Sequence, residues 1–290
     1  MKGIVLAGGK GTRLSPLTQV ISKQLLPIYD KPLIYYPLSV LMLADIRDIL
    51  IVSTPQSLPA FRRLFGDGSH LGLNIGYARQ DEARGIAHGL LIGADHAGDG
   101  QVALVLGDNI FHGTGFSEVL AKARQSLDGC VLFGYPVTDP HRYGIAEVDD
   151  DGRLVSVEEK PSRPKSDRAV TGLYFYDNDV FDIARSIRPS DRGELEITDV
   201  NRVYVEQNRG HLEDLGRGFA WLDAGTHQSL LEAGEYVRVL ESRQGVRIAC
   251  LEEIALRMGF IDSDSCYDLG RGMIDSSYGR YVMEVASMLA

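Results

Sequence analysis

Short apolar runs and helix-spaced apolar positions alternate through the first 110 residues. Residues 3–7 (GIVLA), 48–53 (DILIVS), 73–77 and 101–106 (QVALVL) are runs that predict buried strands. Residues 33–43, 58–65 and 85–96 carry apolar side chains at helical spacing. This alternation predicts βαβ units and a mostly parallel sheet. Strands that are apolar on both faces fit a sheet covered by helices on both sides. The pattern then changes. Residues 130–136, 144–148, 154–158 and 173–176 predict strands joined by turns, with Asp149, Asp150, Asp151 and Gly152 as a hairpin loop. Residues 200–207 and 230–243 predict helices, and the alternation after about 245 predicts a small helical tail. No repeat or low-complexity linker interrupts the chain, so residues 1–240 are expected as one unit, with 241–290 as a helical extension of the same compact body.

Composition narrows the partners. Thirty Lys and Arg against forty Asp and Glu give a net charge of −10. Such a chain is repelled by nucleic acid and by anionic membranes, yet it can hold a small phosphate ligand where cations are focused. No apolar run approaches the ~20 residues of a membrane helix. The apolar stretch before Lys10 is too short for a signal peptide, so a cytoplasmic location is expected. Cys130, Cys250 and Cys266 are widely spaced with no CxxC, which indicates buried thiols rather than a zinc cage or a disulfide framework.

Candidate chemistry begins after the first strand, at Gly8-Gly9-Lys10-Gly11-Thr12-Arg13. Glycines let a backbone approach an anion closely. The glycines alone fit an ordinary tight turn. The Walker pattern fails because Gly11 follows Lys10, and the dinucleotide fingerprint fails at Leu14. Thr12, Arg13 and then Lys23 shift the balance toward phosphate, since Arg suits bidentate contact and Lys a point-charge contact. Asp108 follows a buried strand, where open α/β sheets bind ligands. It is either a turn cap or a carboxylate holding Mg²⁺ beside phosphates. Asp223, after Trp221-Leu222, reads by itself as a turn or cap residue, although two such Asp residues converging would clamp one divalent cation. Lys160 closes a strand before Pro161 and by itself reads as solvated. Residues 193–199 (GELEITD) are a helix start or a substrate contact, and the residues alone do not separate the two. The Asp149–Asp151 run reads as a solvated turn, as do Asp262 and Asp264. No GxSxG or HExxH is present, and the seven histidines are scattered.

Taken together, LAGGKGTRL at the N-terminus, SKQLLPIYDKPLIYYPL at 22–38, LGDN at 106–109, EEKP at 158–161, GELEITDVN at 193–201 and WLDAGTH at 221–227 resemble the sugar-phosphate nucleotidylyltransferases over essentially the whole chain. TGLYFYD at 171–177 and GELEITDVN narrow the resemblance to the thymidylyl branch. The resemblance implies an α/β, Rossmann-like nucleotide-diphospho-sugar transferase fold with a mixed central sheet and a helical C-terminal extension. It implies a nucleotidyltransferase catalytic unit at 1–240, with oligomer or regulatory roles for 241–290. The implied reaction is dTTP plus glucose 1-phosphate giving dTDP-glucose and pyrophosphate, with Mg²⁺. Gly8, Gly11, Thr12 and Arg13 would wrap the triphosphate, with Lys23 reaching it, and Gln24, Gln80 and Gly85 would surround the thymine. Asp108 and Asp223 would hold the metal. Gly144, Glu159 and Val170 would hold the glucosyl unit, and Lys160 its phosphate. A homotetramer is implied, with a nucleotide-sugar effector site at a subunit interface and Glu253, Ile254 and Arg257 in the regulatory region.

The chain departs from that pattern at Lys10, Ile86, His88 and Ala224. Lys10 would add a cation to the loop or face solvent. Ile86 and His88 lie in a segment that in the family borders the base and sugar, and they bear on sugar preference, while Ala224 is expected to matter little. A sugar phosphate is already an anion at neutral pH and needs no general base, so the chemistry is expected to rest on alignment and charge neutralisation.

Overall fold

The computed structural model describes residues 1–9, 11–150 and 152–290, so the expectations for Lys10 and Asp151 lie outside the described residues. The N-terminal half follows the predicted alternation: β1 (Lys2–Leu6), β2 (Pro27–Ile28), β3 (Lys31–Pro32), α1 (Tyr35–Leu43), β4 (Asp48–Ser53), α2 (Leu58–Phe65), β5 (Asn74–Arg79), α3 (Ile86–Ile92), α4 (Ala94–Ala97) and β6 (Val102–Leu106). The single helix expected over 85–96 is broken at Gly93, which closes α3 and opens α4. Next come β7 (Asn109–His112), α5 (Phe116–Gln125), β8 (Cys130–Pro136), β9 (Gly144–Val148), β10 (Leu154–Glu159), β11 (Arg168–Tyr176), α6 (Val180–Ser186), α7 (Ile197–Glu206), β12 (Gly210–Asp214), β13 (Ala220–Asp223) and α8 (His227–Gln244). The tail is α9 (Leu251–Arg257), α10 (Ser263–Arg271) and α11 (Ser277–Met288).

Among the described residues, nine strands form one mixed sheet. β1 pairs in parallel with β4 and β6, and β4 in parallel with β5. β11 then runs antiparallel to β6, β8 and β9. Alternate residues of the central strands point to opposite faces. Val5, Ile49, Ile51, Ala103 and Val105 pack in one core with Leu38 and Leu41 of α1 and Phe61 and Phe65 of α2. Ile4, Leu50, Val52, Val102 and Leu104 pack in a second core with Ala87 and Leu90 of α3 and Val200 and Tyr204 of α7. Burial on both faces is why these strands are unbroken apolar runs.

β2, β3, β7, α5, α6, β12 and β13 were not anticipated. β7 and β13 form a two-stranded antiparallel ribbon outside the main sheet, and such short strands carry little periodicity. Asp262 is exposed, as expected, and its carboxylate also accepts from Ser265 N at 2.9 Å and caps α10.

All three cysteines are buried thiols. Burial is the main cause raising each, Cys130 to about 12 and Cys266 to about 11, and Cys250 is raised as well. Native protein at pH 8 is therefore expected to show no fast reaction with a disulfide thiol reagent, and guanidinium-unfolded protein is expected to react at all three sites. Among the described residues, no helix is long and apolar enough to cross a membrane.

Candidate active site

The site lies where β1, β5 and β6 end at their carboxyl edge, the usual ligand crevice of an open α/β sheet. Beyond the strands the backbone stays tied: Ala7 N donates to Val52 O at 2.8 Å, Gln80 N to Ser53 O at 2.8 Å and Gly107 N to Leu6 O at 3.0 Å. These bonds hold three loops side by side. The first carries Gly8 to Arg13, the second Gln80 to Gly85, and the third Asp108.

One cleft joins them. Its deeper end has a volume of ≈ 480 Å³, within the size range of small-molecule pockets. Arg13, Asp108, Gly144, Glu159, Lys160, Val170 and Asp223 line it. The adjoining end is lined by Gly8, Lys23, Gln24, Gln80 and Gly85, and it shares Arg13, Asp108, Glu159 and Lys160 with the deeper part. Twelve positions singled out from distant parts of the chain thus meet in one place. Gly11 and Thr12 sit on the glycine-rich loop after β1 but do not line the cleft. Gly11 is in the left-handed conformation that starts the 3-10 turn Thr12–Leu14, and its carbonyl accepts from Thr18 Oγ1 at 2.8 Å.

Gly85 shows why glycine is needed at the second loop. Its φ is +98°, and a Cβ there would stand 2.4 Å from Leu195 O. This close approach brings the 193–199 segment over the cleft, and Arg192, Glu194 and Glu196 line its rim. The segment is therefore both a helix start and a wall of the cleft: Glu196 precedes α7, and Thr198 Oγ1 donates to Glu159 Oε2 at 2.7 Å.

The electrostatics are organised around two carboxylates. Asp108 is ion-paired to Lys23 Nζ. Burial pushes its carboxyl up, but the Lys23 charge and hydrogen bonds from Lys23 and Asn109 outweigh this and hold it below the ordinary carboxylate range. Asp223 is shifted the other way, raised by burial first and by the Asp108 charge second, against Lys23, Arg13 and Arg142. Glu159 is raised by burial but brought down overall by hydrogen bonds from Thr198 and Lys160 and by the nearby cations. Its Oε1 lies 2.9 Å from Lys160 Nζ. Lys160 itself has φ +43°, a left-handed conformation uncommon for a non-glycine residue.

Arg13 differs from these cations. Among the described residues it has no hydrogen bond or ion pair within 4.0 Å, although it faces both ends of the cleft. Its cationic capacity is therefore available to an incoming anion.

Reading the sequence did not give roles to Asn109, Arg142, Tyr143, Thr198 or Trp221, all of which line the deeper end. Asn109 Oδ1 accepts from Trp221 Nε1 at 2.6 Å and Gly172 N at 3.0 Å, while its Nδ2 donates to Asp108 Oδ1 at 3.1 Å. This buried carboxamide ties β7, β11 and β13 together beside both aspartates. Asn109 sits opposite Asp223 in the ribbon register, and Ala224 N donates to Asp108 O at 3.0 Å. The available signals were that Asn109 follows Asp108 directly and that Trp221 is the only tryptophan.

The residues fit a divalent cation. Both carboxylates line the same cleft and supply hard oxygen donors of the kind a divalent cation takes. No cluster of three or more His, Cys, Asp or Glu able to hold a metal occurs among the described residues. Phosphate oxygens and water would complete the coordination, as Mg²⁺ commonly requires.

The family model described as nucleotidyl transferase matches residues 2–238. A glucose-1-phosphate thymidylyltransferase of Mycobacterium tuberculosis is 55% identical over 98% of this chain and 99% of its own. The chain belongs to the glucose-1-phosphate thymidylyltransferase family of nucleotidyl transferases. A Neisseria meningitidis protein of the same name is 52% identical over 98% of this chain and 99% of its own. Among solved structures, a UDP-glucose pyrophosphorylase complexed with UDP-glucose matches with a TM-score of 0.72 at 25% identity, covering 82% of this chain and 98% of its own. A Bacillus anthracis structure provisionally described as a glucose-1-phosphate thymidylyltransferase, in complex with sucrose, matches with a TM-score of 0.76 at 39% identity, covering 82% of this chain and 95% of its own. The Rossmann-like fold with a mixed sheet is the family's.

Proposed function

We propose that this protein transfers the thymidylyl group of dTTP to α-D-glucose 1-phosphate, giving dTDP-glucose and pyrophosphate. An oxygen of the sugar phosphate attacks the α-phosphorus, and the bond from that phosphorus to the departing pyrophosphate breaks in line. The sugar phosphate is already ionised, so the principal barrier is bringing anions together in the right geometry. The observation that carries the reading is the convergence of Arg13, Lys23 and Lys160 with Asp108 and Asp223 in one cleft. Arg13, with Gly8, Gly11 and Thr12 of its loop, and Lys23 hold the triphosphate, and Gln24, Gln80 and Gly85 face the thymine. Gly144, Glu159 and Val170 hold the glucose, and Lys160 its phosphate. Asp108 and Asp223 would hold Mg²⁺, which when bound would neutralise phosphate charge. No nucleophilic side chain is needed, and the buried cysteines supply none.

In the same reading, residues 1–240 are the catalytic unit. Residues 241–290 are a helical extension whose Leu251, Ala255 and Phe260 join the main core. A cytoplasmic homotetramer with a nucleotide-sugar effector site near Glu253, Ile254 and Arg257 completes the proposal. The deciding experiment is pyrophosphate release from a panel of nucleoside triphosphates crossed with hexose 1-phosphates in Mg²⁺. Preference for dTTP with glucose 1-phosphate is expected. A methyl-group distinction is worth only about 1–3 kcal/mol, so some turnover of UTP is expected as well. No nucleotide-linked sugar from any pair would overturn the reading.

Lys160→Ala is expected to raise the KM for sugar phosphate by about 10–100-fold, the value of one charge-assisted contact. The KM for dTTP should change by no more than about threefold in the same initial-rate measurements. Equal changes in both would remove Lys160 from the sugar-phosphate end.

A further inference from the structure

His88 lies in the first turn of α3 and takes no part in the phosphate chemistry. Its Nδ1 is 3.4 Å from Nε2 of Gln80, whose residue is only 4% exposed. The other end of that carboxamide is packed at the phosphate loop: a Cβ on Gly8 would stand 2.3 Å from Gln80 Oε1. The two ends of a carboxamide have nearly equal shape but opposite hydrogen-bonding character, so partners decide which way it points.

We propose that His88 is a positioning residue for base choice: its Nδ1 lone pair accepts one Nε2–H of Gln80 and keeps Oε1 turned toward the nucleotide. This rests on Gln80 facing the base, as proposed above. In that orientation Oε1 is available to a ring N–H, and the second Nε2–H to a neighbouring ring carbonyl. Thymine and uracil present that edge. Cytosine presents a ring lone pair beside an amino group and requires the carboxamide turned over. Turning it over would set Oε1 against the Nδ1 lone pair, two acceptors facing each other, unless the imidazole proton moved from Nε2 to Nδ1. His88 thus makes the wrong orientation costly without touching the base.

The test is the ratio of kcat/KM for dTTP to that for dCTP in wild type, His88→Leu and His88→Gln. Leu removes the acceptor, and the ratio is expected to fall by about tenfold, the value of one hydrogen bond. Gln restores an accepting oxygen, and its ratio is expected to stay within about twofold of wild type. A purely structural role would lower both rates together and leave the ratio unchanged, and that result in the Leu variant would overturn the proposal. Protein labelled with ¹⁵N-histidine gives a second readout. Neutral His88 is expected with its proton on Nε2, and a proton on Nδ1 would overturn the proposal equally. If wild type turned over no nucleotide, the functional reading would fall by itself. The binding ratio of dTDP to dCDP by calorimetry in the same variants would still decide the role of His88.

Discussion

Asp108→Asn is expected to lower kcat by about 10²–10³-fold at saturating Mg²⁺ and both substrates, the usual cost of losing a charge-stabilising group at a phosphoryl centre. Two effects add. A neutral carboxamide is a poor ligand for a hard dication, and it leaves one carboxylate, Asp223, where there were two. The Lys23 ammonium also loses the carboxylate it is paired with and is left as a partly buried, uncompensated charge. Some loss of thermal stability is therefore expected, and turnover should be measured well below the midpoint of unfolding. Titrating Mg²⁺ in the variant separates the causes: weaker metal binding moves the midpoint, whereas misplacement of Lys23 lowers the plateau. An unchanged plateau and midpoint would remove Asp108 from the chemistry.

Arg13→Ala is expected to lower kcat by about 10³-fold, in the range found for a guanidinium on a transferring phosphoryl group. Its folding stability should change little. The side chain is exposed and, among the described residues, has no hydrogen bond or ion pair to lose. A large kinetic effect with an unchanged melting temperature distinguishes a ligand-directed cation from a structural one. Arg13→Lys should recover only part of the rate, because an ammonium cannot reproduce a planar two-pronged contact. Initial rates and thermal melting of the three proteins check both statements. A drop of less than about tenfold in the Ala variant would place Arg13 outside the catalytic set.

These expectations draw unequally on sequence and structure. The central strands were legible because burial on both faces makes them continuous apolar runs, as in DILIVS and VALVL. The glycine-rich loop after β1 was legible because glycines and cations in a −10 chain are an unusual concentration. Asp108 and Asp223 were visible as residues, but taken alone Asp108 fitted a turn as well as a metal site and Asp223 fitted a turn better, whereas the structure puts both in one cleft. Arg142, Tyr143 and Asn109 gave no comparable signal, because an arginine, a tyrosine or an asparagine beside a strand is commonplace.

The linear chain was enough to settle the parallel α/β core, the buried thiols and the ion types at the site. These follow from local periodicity and from the chemistry of single side chains. Tertiary structure alone decided which ions meet. Lys23 pairs with Asp108 and Lys160 with Glu159, while Arg13 has no ion pair among the described residues. It also decided that Asn109 joins Asp108 to Trp221 and that His88 reaches Gln80. The physical reason is that hydrogen bonds and Coulomb energies act over a few ångströms through space, and separation along the chain does not measure that distance.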